Sequence, residues 1–402
     1  MKKYFQSSYR FIPLLLFTAV QWIFLACSQK AELPSYRQSA AEKKQIVIAA
    51  VGDVMMPGSI QAVVRRNKYN YDLLFEKVAL DLGAADITFA NLETPVDHKA
   101  KISGYPKFNA RPELLAALKR SGVDIVTIAN NHVMDAGVEG LKRTIDNITT
   151  AGLLYTGAGK TKAEAGEIKY ITAKDLFVAF LAYTYSTNER LPKRKEKEPG
   201  VNILRTDSKA DLSHAAEKVR EARQSADVVI MSLHWGDEYK TLPSRWQRQV
   251  AAELIEAGAD IILGHHPHVL QPIETYTAKD GRQGVIAFSL GNFISSQNYG
   301  VSFKNRNHKR ARRGDGIILS LTAVKKSGRT SVTKIEFQPI WTMRGKAGAS
   351  TVARPVSLAR EIARLEALPK RSKEEENEMK LLSHRQKLII EMFSPQPAAN
   401  MP

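Results

Sequence analysis

Gly264-His265-His266-Pro267-His268 places three imidazoles within four consecutive positions, directly after the apolar run Asp260-Ile261-Ile262-Leu263. A short β-branched run of this kind reads as a buried strand, so the histidines stand where a strand leaves the edge of a sheet. Imidazole is the commonest metal ligand, and an ordinary pKa near neutrality makes it the usual proton shuttle. Five of the nine histidines in the chain hold such positions: His132 after DIVTIAN, His234 after DVVIMSL, and the three just named. Asp53 after IVIAAVG, Asn91 and Glu93 after DITFA, and Asn130, Asn131 and Asp135 around His132 repeat the pattern. Together they offer nitrogen and oxygen donors without sulfur, a set that suits zinc, manganese or iron rather than a soft copper site. Spacing does not choose among these ions.

Each residue taken alone has an ordinary alternative. Asp53 could cap a helix starting near Gly58, Asn131 could serve a turn, Asp135 could be the N-cap of a helix from Val138, and His234 beside Trp235 could be a packed core histidine. Repetition at five strand ends argues against all of these at once, because packing alone would bury one unsatisfied polar group after another.

The elements that must position these residues alternate along the chain. Strands are expected at 46–52, 86–92, 124–130, 176–183, 227–233, 260–264 and 285–291. Helices are expected at 111–122, 138–152, 212–226 and 246–259, where apolar residues recur at three and four spacing. A β pair, GIILSLTAV and VTKIEFQPIW, follows with its turn at Lys326 to Arg329, and residues 371–393 read as an exposed, charged helix. This is the pattern of a layered α/β domain, whose ligands gather at the C-terminal ends of strands.

The chain has 402 residues, 44% of them hydrophobic, with 59 Lys and Arg against 41 Asp and Glu and a net charge of +18. That composition is globular and favours anionic partners without specifying which. The mixed-sign segment at 189–198 reads as a solvated loop. The more one-sided segment at 303–313, with Lys304, Arg306, Lys309, Arg310, Arg312 and Arg313, follows the SLGNF run and could hold an anionic substrate. No aromatic-and-basic array suited to reading bases is present, so nucleic acid is not an expected partner. Residues 1–27 resemble a signal peptide ending in a lipobox-like cysteine. Cys27 is the single cysteine of the chain, which excludes an internal disulfide and makes this thiol the expected lipidation site. Residues 28–44 would be a polar tether, 45–345 the main domain and 346–402 a charged helical extension. The expected location is exported, on the outer side of a bacterial membrane and anchored there by lipid.

The motifs GDVM (52–55), NLETP (91–95), NNHVMDAG (130–137), HWGDEY (234–239), GHHPHVLQ (264–271) and SLGNF (289–293) resemble those of the CapA family of poly-gamma-glutamate capsule synthesis proteins. That family is in turn similar to the calcineurin-like metallophosphoesterases. The resemblance implies a four-layer α/β sandwich, two mixed sheets flanked by helices, with one or two divalent ions (Mn, Zn or Fe) at the strand ends. By motif, Asp53 and His268 would hold one ion, Asn131, His234 and His266 the other, and Glu93 would bridge them. His132, oriented by Asp135, would protonate a leaving group, and His265 would stay outside the ligand set. Asn91, Asn130 and Asn292 with Arg306, Arg310 and Arg312 would face the substrate. Two positions depart from the calcineurin-like pattern: Met55 stands where a histidine ligand is usual, and Glu93 replaces a bridging aspartate. The implied activity is a metal-dependent hydrolase or transferase acting on an anionic polymer or phosphorylated substrate of the cell envelope. The alternatives are a non-catalytic lipoprotein partner of a membrane capsule-synthesis complex and a secreted phosphodiesterase or nucleotidase.

Overall fold

The computed structural model describes residues 44–191, 197–347 and 350–393. The expected leader with Cys27, the tether up to residue 43, and residues 192–196 of the mixed-sign loop lie outside the described residues. In chain order the elements are β1 (Lys44–Val54), α1 (Gly58–Arg66), α2 (Ala79–Leu82), β2 (Ile87–Leu92), α3 (Glu113–Arg120), β3 (Ile125–Thr127), α4 (Gly137–Thr150), β4 (Leu154–Thr156), β5 (Ala158–Gly159), α5 (Lys162–Ala165), β6 (Lys169–Ala173), β7 (Leu176–Thr184) and β8 (Gly200–Val201). They continue with α6 (Lys209–Ser225), β9 (Val228–His234), α7 (Arg245–Ala257), β10 (Ile261–His265), β11 (Ile273–Thr277), β12 (Gln283–Ala287), β13 (Asn292–Ile294), β14 (Asp315–Lys326), β15 (Arg329–Ala347), β16 (Ser350–Ser357), α8 (Leu358–Glu366) and α9 (Lys373–Phe393).

Two mixed sheets organise the chain. The first runs β16-β15-β14-β1-β2-β3-β4, with β13 also paired to β1, and the second runs β11-β12-β10-β9-β7-β6. In each sheet the central strands are parallel and an antiparallel hairpin is added at the side, as β14–β15 and β6–β7 show. The strands that carry the site are apolar on both faces, which is what burial between layers demands. Along β1, Ile46, Ile48 and Ala50 face the second sheet, where they meet Val178, Phe180, Ile230 and Leu263, while Ala49 and Val51 face α1, α3 and α4. On the far side of the second sheet Ala179, Leu181, Val229 and Met231 pack under α6 and α7. The period-two alternation thus generates the expected four layers: helices, sheet, sheet, helices. Helix α7 is fixed at its start by a capping box between Ser244 and Gln247.

Two expectations change. The boundary near residue 345 falls inside the long strand β15, and β16 pairs with it along its length, so the C-terminal segment completes the first sheet. The helix expected to be exposed is docked: α9 buries Leu381, Leu382 and Ile389 against the face shared with α8. It also buries Arg385, whose guanidinium forms a two-pronged pair with the buried Asp315 at the start of β14. A charged helix can be amphipathic through a few positions only, and the acidic and basic majority here masks the apolar seam. Among the described residues, no helix is long and apolar enough to cross a membrane.

Candidate metal centre

The six expected ligands come together at one end of the two sheets. Asp53 lies near the end of β1, Glu93 just past β2, Asn131 past β3, His234 ends β9, and His266 and His268 follow β10. Close backbone packing sets two of these positions. A Cβ on Gly52 would fall 1.9 Å from the Gly291 carbonyl oxygen, and one on Gly264 would fall 1.9 Å from that of Phe288. Only glycine permits these approaches, and the first lets the Asp53 N–H donate to the Gly291 oxygen at 3.1 Å. The loop after β10 is strained: His266 and His268 hold φ of 94° and 55° on either side of Pro267. Non-glycine residues in this region cost energy and cluster at functional sites.

Asp53 accepts a hydrogen bond from Asn91 Nδ2 at 2.8 Å, and His268 Nδ1 lies 3.0 Å from its other oxygen. Burial by itself would raise the Asp53 carboxyl, but the neighbouring imidazoles of His265 and His268 outweigh this and hold it well below the usual range. His234 Nε2 and Asn131 Oδ1 are 2.9 Å apart, and the same nitrogen lies 3.6 Å from Glu93 Oε1. Burial, with the added repulsion of His266, depresses the His234 pKa, and burial with His268 depresses that of His266 to about 3. Both rings are therefore neutral near pH 7, the state in which imidazole binds metal.

Glu93 decides what the cluster is suited to hold. It is fully buried, and neither carboxylate oxygen has a hydrogen-bond partner. Burial, reinforced by Asp53, Glu238 and Asp135, pushes its pKa well above the usual carboxylate range. A buried carboxylate without donors is costly, and a cation is the partner this geometry lacks. His266 Nδ1 is likewise unpartnered. Two overlapping sets, Asp53–Glu93–His234 and Glu93–His266–His268, each bring their ligand atoms within 4.8 Å of one another. Glu93 belongs to both, as a shared carboxylate would. Asn131, 2.9 Å from His234, adjoins the first set. The residues present fit one or two divalent ions.

His132 stands beside this cluster with Nδ1 2.7 Å from Asp135 Oδ2. Asp135 also accepts from the Phe108 N–H at 2.7 Å, and the Phe108 ring packs edge-on to His132 with centroids 4.6 Å apart. Asp135 is thus a brace for His132 and caps no helix: the N-cap of α4 is Ala136. Nor does Asp53 cap α1, whose N-cap is Pro57. Asn188 was not singled out from sequence. Its N–H donates to Asn131 O at 2.8 Å and its Nδ2 lies 3.4 Å from His132 Nδ1. A polar residue in a polar loop gives no periodic signal that could have revealed it. His265 ends β10 with its ring tilted against that of Phe89, centroids 5.9 Å apart, and with Nδ1 3.4 Å from Asp53 Oδ1. Met55 is buried, and its N–H donates to Ile294 O at 2.9 Å.

The expected substrate contacts are rearranged. Asn91, Asn130 and Asn292 are buried and spent on the scaffold. Asn91 reaches Asp53 and His234, Asn130 donates to the oxygens of Asn91 and Leu92, and Asn292 Nδ2 donates to His268 O and Arg313 O at 3.2 and 2.9 Å. Arg306 and Arg310 lie over Phe303 and Tyr299 of their own loop. Arg312 lines a cavity farther out, while Arg313 reaches the rim of the centre, 3.6 Å above the ring of Tyr239.

A family model described as bacterial capsule synthesis protein PGA_cap matches residues 47–297. A capsule biosynthesis protein CapA of Bacillus anthracis is 34% identical over 265 residues, covering 64% of this chain and 62% of that protein, so the chain spans less than two thirds of that relative. A PGA biosynthesis protein CapA of Bacillus subtilis is 33% identical over 294 residues, covering 72% of this chain and 71% of that protein. A solved calcineurin-like phosphoesterase, YfkN of Bacillus subtilis, superposes with a TM-score of 0.36 at 14% identity, covering 86% of this chain and all of that one. The four-layer architecture rests on the strand order and packing described above, not on that superposition.

Proposed function

Because this chain belongs to the bacterial capsule synthesis protein family, we propose that it is a metal-dependent hydrolase or transferase acting on an anionic cell-envelope substrate during polyglutamate capsule formation. The observation behind this reading is Glu93: a fully buried carboxylate with both oxygens unpartnered, ringed by Asp53, Asn131, His234, His266 and His268. A bound divalent ion, manganese, zinc or iron, would supply Lewis-acid activation of water and neutralise charge on the transferred group. The remaining work falls to the chain itself. Asn91 fixes the Asp53 carboxylate through the 2.8 Å bond, and Asn292 fixes the His268 loop, so the donors are set before an ion or substrate arrives. Asp135 holds His132 by Nδ1 and leaves Nε2 to carry a proton to the leaving group. Buried walls exclude water from the donors and strengthen these electrostatic contacts.

The chain acts outside the cell, anchored to a membrane through an acylated Cys27. Membrane partition of full-length Cys27→Ala measures this, and continued retention of the variant would discard the anchor. For the chemistry, elemental analysis is paired with hydrolysis of a generic phosphodiester and of a γ-glutamyl oligomer under added manganese. Bound metal with turnover lost in His132→Ala is the expected result. A second reading has one observation in its favour: Met55 is buried and puts no imidazole at the first ion position, so the chain would serve as a non-catalytic partner of a polyglutamate ligase or export complex. Bound metal without turnover on either substrate selects that reading.

A further inference from the structure

Strand β7 leaves the second sheet at Thr184, in register with His234 of β9, and the segment after it crosses toward residues that follow β3 of the first sheet. Tyr185 donates its N–H to the His234 carbonyl at 2.9 Å and sets its ring against that of His266, centroids 4.8 Å apart. Asn188 donates its N–H to the Asn131 carbonyl at 2.8 Å. Glu189 then meets Lys107 at 2.7 Å, in the loop that brings the Phe108 N–H to Asp135. Two hydroxyls stiffen the path: Thr184 Oγ1 donates to Ser186 O at 2.9 Å and Thr187 Oγ1 to Glu189 O at 2.8 Å. The segment is thus a strap that touches His234 and His266 from one sheet and Asn131 from the other. Its Lys107–Glu189 clasp is exposed on both sides and contributes little, so Asn188 is the firmer point at the far end.

An asparagine ligand must present the correct one of two similarly shaped atoms. Oδ1 accepts and can bind a cation, whereas Nδ2 is a donor and would repel one. Asn131 Oδ1 lies 2.9 Å from His234 Nε2, on the side of the candidate cluster, and Nδ2 faces Asn188 Oδ1 at 3.5 Å. Among the described residues no other oxygen accepts from Asn131 Nδ2. Turning the amide over would aim its donor at the cluster and set two acceptor oxygens, Asn131 Oδ1 and Asn188 Oδ1, against each other. The backbone bond to Asn131 cannot prevent that turn, because the last side-chain torsion of asparagine is soft. On its other side the Asn188 amide lies 3.4 Å from His132 Nδ1, but Asp135 is nearer, at 2.7 Å, and claims that nitrogen.

We propose that Asn188 is a positioning residue for the metal centre: its Oδ1 accepts from Asn131 Nδ2 and so turns Asn131 Oδ1 toward the ion, while the backbone bonds of the strap hold Asn131 and His234 at one spacing. Groups that stand behind metal ligands in this way fix ligand orientation and with it affinity. The role rests on the metal-centre reading above, and the experiment keeps the two apart.

Calorimetry of manganese binding to the full chain compares the wild type with Asn188→Leu, which keeps the outline of the side chain without its acceptor, and with Asn188→Asp, which keeps the acceptor. Asn188→Leu should weaken manganese binding about 10- to 100-fold with the melting temperature of the metal-free chain unchanged. Asn188→Asp should bind at least as tightly as the wild type. The visible spectrum of the cobalt(II)-loaded chain, which responds to the ligand set, should change in Asn188→Leu and match the wild type in Asn188→Asp. Lys107→Ala removes the exposed clasp and should leave the affinity where it was. Wild-type affinity in Asn188→Leu, an equal loss in Asn188→Asp, or a loss in Lys107→Ala as large as that in Asn188→Leu would overturn the positioning role and leave the metal centre standing. If Asn188→Leu also melts lower without metal, recovery of affinity in Asn188→Asp supports the role and its failure overturns it. A wild-type chain that binds neither ion would overturn the metal centre and the role with it.

Discussion

Glu93→Gln should separate the metal from the fold. In the free protein the Glu93 carboxyl is buried beside Asp53 with no donor on either oxygen, and its pKa is raised. An acid whose folded pKa lies above its unfolded value binds more protons in the native state, so its contribution to stability falls as pH rises through that window. Binding of a cation must displace this proton. His234 and His266, with depressed pKa values, are already neutral near pH 7 and release none. Calorimetry of manganese binding in buffers of different ionisation enthalpy should therefore find proton release in the wild type that shrinks as pH rises and is absent in Glu93→Gln. Metal at 100 times its dissociation constant adds about 2.7 kcal/mol of stability. With an unfolding entropy of ~2.1 cal/mol/K per residue over roughly 360 residues, that is a rise in melting temperature of about 4 °C. The substitution should remove this rise, because it takes away the carboxylate common to both candidate sets. An equal metal-induced rise in Glu93→Gln, or none in the wild type with manganese, zinc or ferrous iron, would refute the reasoning.

Three further outcomes are expected. Asp135→Asn should lower turnover by about 10²- to 10⁴-fold while leaving metal content unchanged, since Asp135 touches His132 and not the ligands; kinetics and elemental analysis on one preparation check this. Asp315→Ala should destabilise the chain by about 3–5 kcal/mol in urea unfolding, because it strands the buried Arg385 of α9, and adding Arg385→Met should recover part of the loss. Gly52→Ala should abolish soluble folded protein or metal binding, since its Cβ would meet a backbone oxygen at 1.9 Å and neither partner is a side chain that can turn aside; circular dichroism and metal stoichiometry read the result.

The sequence made the central strands and the residues of the candidate cluster legible for the same reason. Strands buried on both faces are continuous apolar runs, as in β1, β7, β9 and β10, and polar residues are conspicuous where such runs stop. Strands with exposed faces, such as KYITA in β6 and IETYT in β11, lack that contrast and give no strand signal of this kind. β16 was hidden by Arg354 and Pro355, although Arg354 is buried and pairs with Glu76. His265 could not be distinguished from its neighbours by type; its direction follows from its register opposite His234, which only the paired strands define. The loop at 303–313 shows the same limit. Six cations were equivalent in sequence, and local ring contacts turned Arg306 and Arg310 away while the Asn292 amide brought Arg313 to the rim.

The course of β1 has a geometric consequence. Lys44 opens the strand and Asp53 lies one residue from its end, so at ~3.3 Å per residue the first described residue lies about 30 Å from the donors, at the opposite end of the sheets. The candidate donors and the start of the described chain therefore occupy opposite poles of the sheets, so a change at one need not disturb the other.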